Sequence, residues 1–142
     1  MINRAKYTII LIIFLLAILA SGILTFVSVE EACGGTQTTC YAVQTSQYET
    51  TFGIKNAHAG IFAFSIMAIL TFLYIKKPSK YKKQMIALGI IGGALFALYF
   101  LYLQFFVIDA LCRYCMVIDV GMLLNLGIII LWKEKKEIPT FN

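Results

Sequence analysis

Long apolar runs dominate this sequence and decide what it can fold into. Four of them span residues 7–29, 57–75, 85–108 and, counted from Cys112, 112–132. A helix needs about 20 apolar residues to cross the hydrocarbon core of a bilayer, and in lipid only helices or closed barrels satisfy their backbone polar groups. With 61% hydrophobic residues, the chain is too apolar for a soluble domain. The sequence predicts an all-α integral membrane protein, one domain over residues 1–142 built as a four-transmembrane-helix bundle.

The basic residues are distributed unevenly over the connections between these runs. All but Lys55 and Arg113 of the 12 lysines and arginines fall at the N-terminus, in the connection 76–84 or at the C-terminus. Basic loops remain in the cytoplasm. We therefore expect a multi-pass protein of the cell membrane, or of the endoplasmic reticulum membrane in a eukaryote, with both termini cytoplasmic. Short lysine-rich loops beside membrane helices are ordinary topology signals, so no nucleic-acid partner is predicted.

The connection 30–56 is the longest segment between the apolar runs, and the charge pattern places it outside the cytoplasm. It is rich in Gly, Thr and Gln and has few aliphatic residues, so it cannot build a core of its own. We expect it to fold onto the bundle as an extracytoplasmic capping loop. Tyr48 and Phe52 lie four residues apart, which predicts a short amphipathic helix within residues 41–53.

The four cysteines form two unlike pairs, and the topology places both on the outer side of the membrane. Cys112 and Cys115 lie two residues apart at a predicted helix start, where free amides, the helix dipole and Arg113 stabilise a thiolate. Cys33 and Cys40 lie in the glycine-containing outer loop, where disulfides persist. Two thiol pairs at one membrane face predict electron transfer by thiol–disulfide exchange.

Four cysteines in a membrane protein have two other common uses, structural disulfides and a zinc site. Two fixed structural disulfides would make the chain a non-catalytic membrane subunit, but a disulfide between Cys112 and Cys115 would close a loop too short to stabilise much. A zinc site usually joins two short knuckles, and the spacing of Cys33 and Cys40 fits that pattern poorly. We therefore predict redox-active cysteines and no metal site.

Three further features carry a functional and a structural interpretation. Asp119 is an acid inside the last apolar run, which makes it a functional candidate by default, although pairing with Arg113 or contact with water would also explain it. His58 has the residue type to donate to a carbonyl of a bound ligand, or is a polar interface residue. Aromatic residues at helical spacing on the third run suit either packing or a pocket for an aromatic ligand: Phe96, Tyr99, Tyr102 and Phe106.

The order of motifs along the chain resembles that of the vitamin K epoxide reductase family. The resemblance extends from about Ala32 to the end of the last run and rests on Cys33, Cys40, Ser46, Phe52-Gly53-Ile54, Asn56 and Cys112-Arg113-Tyr114-Cys115. DsbB-type thiol oxidases share four helices and four cysteines but carry their two-residue-spaced pair in the first outer loop. Animal members of the family commonly have tyrosine at the position of Asp119.

This resemblance implies a role for each matching residue. Cys33 and Cys40 correspond to a shuttle pair, Cys33 facing the partner thiols and Cys40 forming a transient bridge to Cys112. Cys115 corresponds to the cysteine that faces the quinone. The quinone site would also include Ser46, which supports the catalytic cysteines, Phe52, and Asn56, which hydrogen-bonds a quinone oxygen.

The expected function is that of a quinone-dependent thiol oxidoreductase. It would pass electrons between a separate thioredoxin-fold, DsbA-like protein and a quinone of the ubiquinone, menaquinone or vitamin K type, supporting disulfide formation. One alternative is reduction of vitamin K quinone or its epoxide, with electrons moving in the opposite direction. The other is the non-catalytic subunit with structural disulfides.

Overall fold

Four long helices form a membrane bundle in the computed structural model, which describes residues 3–132. They are α1 (Arg4–Phe26), α4 (Asn56–Lys76), α5 (Lys80–Tyr102) and α6 (Arg113–Leu131), and α5 continues through a π-helical turn at Leu103–Val107. Each is long and apolar enough to cross a bilayer. The chain is therefore a multi-pass membrane protein with the predicted helical bundle.

Two helix ends differ from the positions expected from hydropathy. Helix α5 begins at Lys80 rather than residue 85, because Pro78 and the extended Ser79 interrupt the chain immediately before it. The lysines that hydropathy assigns to a loop thus form the first turn of a helix. Helix α1 ends at Phe26, and Ser28 caps a new short helix by accepting a hydrogen bond from the Glu31 amide at 3.3 Å.

The bundle is held together by packing of α1 on α4 and α6, and of α5 on α6. Its core is a cluster of apolar side chains from all four helices: Tyr7, Ile10, Phe14, Ala68, Tyr74, Ile86, Ile90, Ala97 and Met122. Met122 of α6 occupies the space beside Gly93 of α5, where a β-carbon would collide with it. Small residues at such crossings let membrane helices approach closely.

Residues 27–55, which we call the capping segment, lie between α1 and α4. The segment contains α2 (Val29–Cys33), α3 (Thr39–Gln44) and a two-stranded antiparallel hairpin of β1 (Thr50–Thr51) and β2 (Ile54–Lys55). Gly34 ends α2 in the left-handed conformation, with φ of 78°. The chain then turns back at once, which lets α2 and α3 pack against each other.

The predicted helix within residues 41–53 is wrong in its extent. Helix α3 stops at Gln44, and the second half of the range forms the hairpin instead. Phe52 and Gly53 connect the strands with positive φ values of 54° and 79°, as a two-residue hairpin turn requires. The four-residue spacing of Tyr48 and Phe52 resembled one turn of helix, but β-branched Thr50, Thr51 and Ile54 favour strands.

The two ends of the described chain lie on the same side of the bundle, as four spans require. Lys6 is buried at the start of α1, and its Nζ donates to the Trp132 carbonyl at the end of α6, at 3.1 Å. The predicted cytoplasmic C-terminus, with Lys133, Lys135 and Lys136, lies outside the described residues. The capping segment and the turn before α6 lie at the opposite end of the bundle.

Candidate active site

The capping segment carries a disulfide into the interior of the protein. Cys33, at the end of α2, and Cys40, in the first turn of α3, are bonded to each other. Their residues are only 1% and 3% exposed, and they pack with Val43, Ala110 and Cys112. The Thr39 hydroxyl fixes α3 to the turn before α6 by donating to the Leu111 carbonyl at 2.9 Å. The disulfide is thus buried against the mouth of α6.

The second cysteine pair opens α6, and both of its sulfurs are free thiols. Cys112 is the N-cap, and its sulfur accepts a hydrogen bond from the Cys115 amide at 3.4 Å. The Cys112 sulfur lies 3.8 Å from the Cys40 sulfur. The structure therefore brings all four predicted cysteines together, with Cys40 and Cys112 at the junction between the pairs.

Gln44 links the capping segment to both thiols and was not among the residues predicted from sequence. It lies one helical turn after Cys40 on α3, is 6% exposed, and its Nε2 lies 3.0 Å from the Cys115 sulfur and 3.5 Å from the Cys112 sulfur. Spacing of four residues on a helix puts two side chains on one face. That spacing from Cys40 is the sequence signal by which Gln44 could have been found.

Cys112 lies outside the membrane-spanning part of α6, and its surroundings favour the thiolate. The hydrogen bond from the Cys115 thiol lowers the pKa of Cys112 most, and burial opposes it; backbone amides and Gln44 add to the lowering, which brings the pKa to about 6. At neutral pH the Cys112 sulfur is therefore largely ionised. An ionised sulfur is the nucleophile in disulfide exchange, and the Cys40 sulfur lies 3.8 Å away.

A cavity of about 490 Å³ opens beneath the thiols, between the helices. Cys115 lies in its wall, and most of the other lining groups are apolar or aromatic. Those contributed by the four long helices include Leu24, Gly60, Ala63, Phe64, Phe96, Phe100, Ile118 and Met122. A mostly apolar cavity of this size suits a small aromatic ligand.

A chain of hydrogen bonds connects the cysteine pair to an acid in the cavity wall. Gln104, in the π-helical turn, accepts from the Cys112 amide at 3.1 Å and donates to Asp119 Oδ2 at 3.1 Å. Gln104 is 2% exposed and Asp119 is 4% exposed. π-Helical turns often occur at functional sites. Sequence reasoning missed Gln104, although a polar side chain inside an apolar run is a signal that marks functional positions.

The residues predicted to bind a quinone lie around the mouth of this cavity. Ser46 and Asn56 line it, but both use their polar groups within the capping segment. Ser46 Oγ donates to the Val43 carbonyl at 2.8 Å. Asn56 Nδ2 donates to the Tyr48 carbonyl at 2.8 Å, and Asn56 Oδ1 accepts from the Thr51 hydroxyl at 2.8 Å.

The remaining predicted candidates are placed less centrally. Phe52 lies at the hairpin turn, at the cavity rim, with its side chain fully exposed. His58 is exposed in the first turn of α4 and is not among the cavity-lining residues. Of the aromatic stripe on α5, Phe96 lines the cavity, whereas the others are at least half exposed on the outside of the bundle: Tyr99, Tyr102 and Phe106.

Comparison with known proteins gives a result that agrees with this arrangement. A sequence model of the vitamin K epoxide reductase family matches residues 8–130, which is nearly all of the described chain. A search of curated proteins finds no match. Members of the family are membrane oxidoreductases that carry out disulfide chemistry and use quinones. By this match the chain belongs to the vitamin K epoxide reductase family.

Proposed function

We propose that this protein passes electrons between an extracytoplasmic thioredoxin-fold protein and a membrane quinone, through its four cysteines. The observation that carries the proposal is the 3.8 Å separation of the Cys40 and Cys112 sulfurs. At this distance an oxidised pair, Cys33 and Cys40, lies in contact with a reduced pair, Cys112 and Cys115. Both pairs lie at the mouth of an apolar cavity.

In the oxidising direction the relay consists of successive thiol–disulfide exchanges. A partner thiolate attacks Cys33, breaks its bond to Cys40 and leaves as a disulfide once its second thiol resolves the mixed species. The reduced Cys40 then attacks Cys112 of an oxidised second pair, releasing Cys115. Cys33 resolves the Cys40–Cys112 bridge, which restores the first disulfide and leaves Cys112 and Cys115 reduced, as in this structure.

Burial of Cys33 sets a condition on the first exchange. At 1% exposure its sulfur is out of reach of a protein thiol, and exchange requires direct approach to the attacked sulfur. The turn between α2 and α3 contains Gly34 and Gly35, both with positive φ. We infer that partner docking lifts this turn away from α6 and exposes Cys33.

The residues of the cavity fit a quinone ring. Cys115 supplies a sulfur in the wall, and aromatic groups of α4 and α5 offer flat apolar contact. Ser21 is fully buried and lines the cavity, and its hydroxyl has no hydrogen-bond partner within residues 3–132. A buried unpaired hydroxyl costs about 1–3 kcal/mol, and a ligand carbonyl would satisfy it. When bound, a quinone supplies a two-electron acceptor for the thiols.

The free thiols also bear on the structural-disulfide alternative. That alternative requires a second fixed disulfide, yet Cys112 and Cys115 are unbonded and Cys112 is ionised near neutral pH. A low-pKa thiolate beside a disulfide is typical of exchange chemistry rather than of a structural crosslink. The arrangement therefore favours a redox function.

The proposal is tested with purified protein, a reduced DsbA-like protein and a short-chain soluble quinone, by following quinone absorbance. We expect quinone loss that depends on both proteins and is absent from a Cys112→Ser, Cys115→Ser variant. Supplying quinol and oxidised partner instead measures the reverse direction. If the intact protein and the double variant gave equal rates in both directions, the proposed function would be rejected.

We also propose that the capping segment faces the outside of the cell and that both termini lie in the cytoplasm, on the basis of the basic-residue asymmetry. Two exposed positions at opposite ends of the bundle provide a matched test, Gln37 and Ser79. In a background with all four native cysteines replaced by serine, a membrane-impermeant maleimide should label Gln37→Cys in intact cells. Ser79→Cys should be labelled only after lysis, and the opposite pattern would reverse the topology.

A further inference from the structure

Asp119 is a buried acid that the cysteine relay described above does not use. It lies in α6, is 4% exposed, and lines the cavity. Its Oδ2 accepts a hydrogen bond from Gln104, a neutral side chain, rather than pairing with Arg113, which is exposed. A carboxyl group inside a membrane bundle, with no counter-cation among the described residues, costs free energy of folding. Such a residue is therefore a candidate for a functional role.

The position of Asp119 relative to Cys115 indicates that use. The two residues are four apart on one helix, so their side chains lie on the same face about 5–6 Å apart at the β-carbons. Both line the same cavity. A ligand in the cavity would therefore meet the sulfur of Cys115 and the carboxyl group of Asp119 side by side.

The chemistry at this point needs a proton carrier. Reduction of a quinone by the pair converts two sulfurs to a disulfide and adds two electrons and two protons to the quinone. The surroundings of Cys112 lower its pKa and favour its thiolate, to which the Cys115 thiol donates; in that state the pair holds one proton, on Cys115. Most of the cavity lining is apolar, so few side chains beside Cys115 are able to carry a proton.

We propose that Asp119 accepts the Cys115 thiol proton and delivers it to a quinone oxygen. This inference rests on the proposed function and adds a proton-carrying catalytic residue to it. In balance, the Cys112 thiolate, the Cys115 thiol, one quinone and one proton from solvent give the Cys112–Cys115 disulfide and one quinol. The Asp119 carboxyl group is regenerated, and Gln104 holds it toward the cysteine pair through its bonds to both.

Other titratable groups near Asp119 are few. On its own helix the neighbour is Cys115, and from the turn before α6 it is Cys112. From the capping segment the cavity lining includes Tyr48 and Glu49, of which Glu49 pairs with Lys55 at 3.4 Å. No lysine, arginine or histidine is among the lining residues that the structure describes. Asp119 is therefore the acid placed to exchange protons with the cysteine pair.

The kinetic test compares Asp119→Asn with Asp109→Asn in quinone reduction by pre-reduced protein. Asp109 is exposed near the same end of the bundle, and asparagine tolerates its positive φ of 52°, so this variant is a matched control. We expect Asp119→Asn to be slower by about 100-fold, as loss of general acid–base catalysis predicts, with Asp109→Asn unchanged. Formate should accelerate Asp119→Ala and have no effect on the native protein.

A second readout does not depend on quinone turnover. The negative charge of Cys112 exists only in the reduced pair, so the two redox states hold the Asp119 proton with different strength. The measurement is the midpoint potential of the Cys112–Cys115 pair in glutathione buffers, plotted against pH. In the native protein this potential should fall more steeply with pH over part of the range, because reduction of the pair there takes up an additional proton. Asp119→Asn should lose this uptake while keeping normal thiol exchange at Cys33 and Cys40.

The outcomes separate this inference from the proposed function. Native protein that reduces quinone at the same rate as Asp119→Asn would overturn the role of Asp119 and leave the relay intact. Native protein with no quinone reduction at all would overturn both. A native potential curve without the additional proton uptake would overturn the inference without recourse to any variant, and so would Asp119→Ala that formate does not accelerate.

Discussion

Cys115→Ala should abolish quinone reduction, with a loss of at least about 10⁴-fold, as expected when a covalent catalytic group is removed. Cys115 is the cysteine whose sulfur lies in the cavity wall, whereas Cys112 is fully buried above it and does not line the cavity. Without Cys115, no sulfur faces a bound ring and no resolving thiol remains for Cys112. The measurement is quinone absorbance with dithiothreitol as electron donor.

Cys33→Ala provides the contrast in the same assay. A small thiol reduces the Cys112–Cys115 pair directly or through Cys40, so the variant should keep most of its rate with dithiothreitol and lose it with a protein partner. The two variants thus differ in which electron donor they can use. Equal inactivity of Cys33→Ala and Cys115→Ala with dithiothreitol would show that the order of the relay is wrong.

The membrane bundle could be predicted from sequence because its determinants are local. Each span is a run of apolar residues long enough to cross a bilayer, and nothing distant in the chain alters that requirement. The cysteine pair at the start of α6 could also be predicted from the sequence, since two cysteines separated by two residues at a helix start are a local pattern. Helix starts among charged residues were harder to predict from the sequence. Helix α5 begins at Lys80, although the lysine-rich composition around that residue resembles that of a loop.

The polar residues around the sulfurs could not be predicted in the same way. Gln44 lies 68 positions before Cys112 in the chain, and their contact at 3.5 Å exists only because the capping segment packs on α6. Gln104 lies in the π-helical turn and forms hydrogen bonds with both the Cys112 amide and Asp119. Helical spacing from Cys40 and polarity within an apolar run mark Gln44 and Gln104 as candidates, but which sulfur or acid each one contacts depends on tertiary packing.

The capping segment shows how a correct general expectation can miss local geometry. Its shortage of aliphatic residues correctly indicated that it folds onto the bundle. The same composition did not indicate that Cys33 and Cys40 are buried within it. A disulfide and the contacts of α3 with the turn before α6 supply the stabilisation that an apolar core of its own would otherwise give.

The contact between Cys40 and Cys112, where electrons pass from one cysteine pair to the other, gives the most direct prediction from geometry. In a Cys33→Ser, Cys115→Ser variant, the two remaining thiols are Cys40 and Cys112, whose sulfurs lie 3.8 Å apart in the native protein. Neither has a resolving thiol, so the bridge between them, once formed, cannot be opened from within. We expect nearly complete conversion to a Cys40–Cys112 disulfide under oxidising, quinone-replete conditions, detected by peptide mapping without reductant.

A Cys40→Ser, Cys115→Ser variant is the matched control, because it leaves Cys33 in place of Cys40 with the same number of thiols. The structure places the Cys112 sulfur in contact with Cys40, at the start of α3, while Cys33 ends α2 and is bonded to Cys40. Since sulfur exchange requires direct approach, the control should form much less bridge to Cys112. Equal crosslinking in both variants would show that Cys40 is not the preferred partner of Cys112. Two free thiols in the Cys33→Ser, Cys115→Ser variant would count against the relay itself.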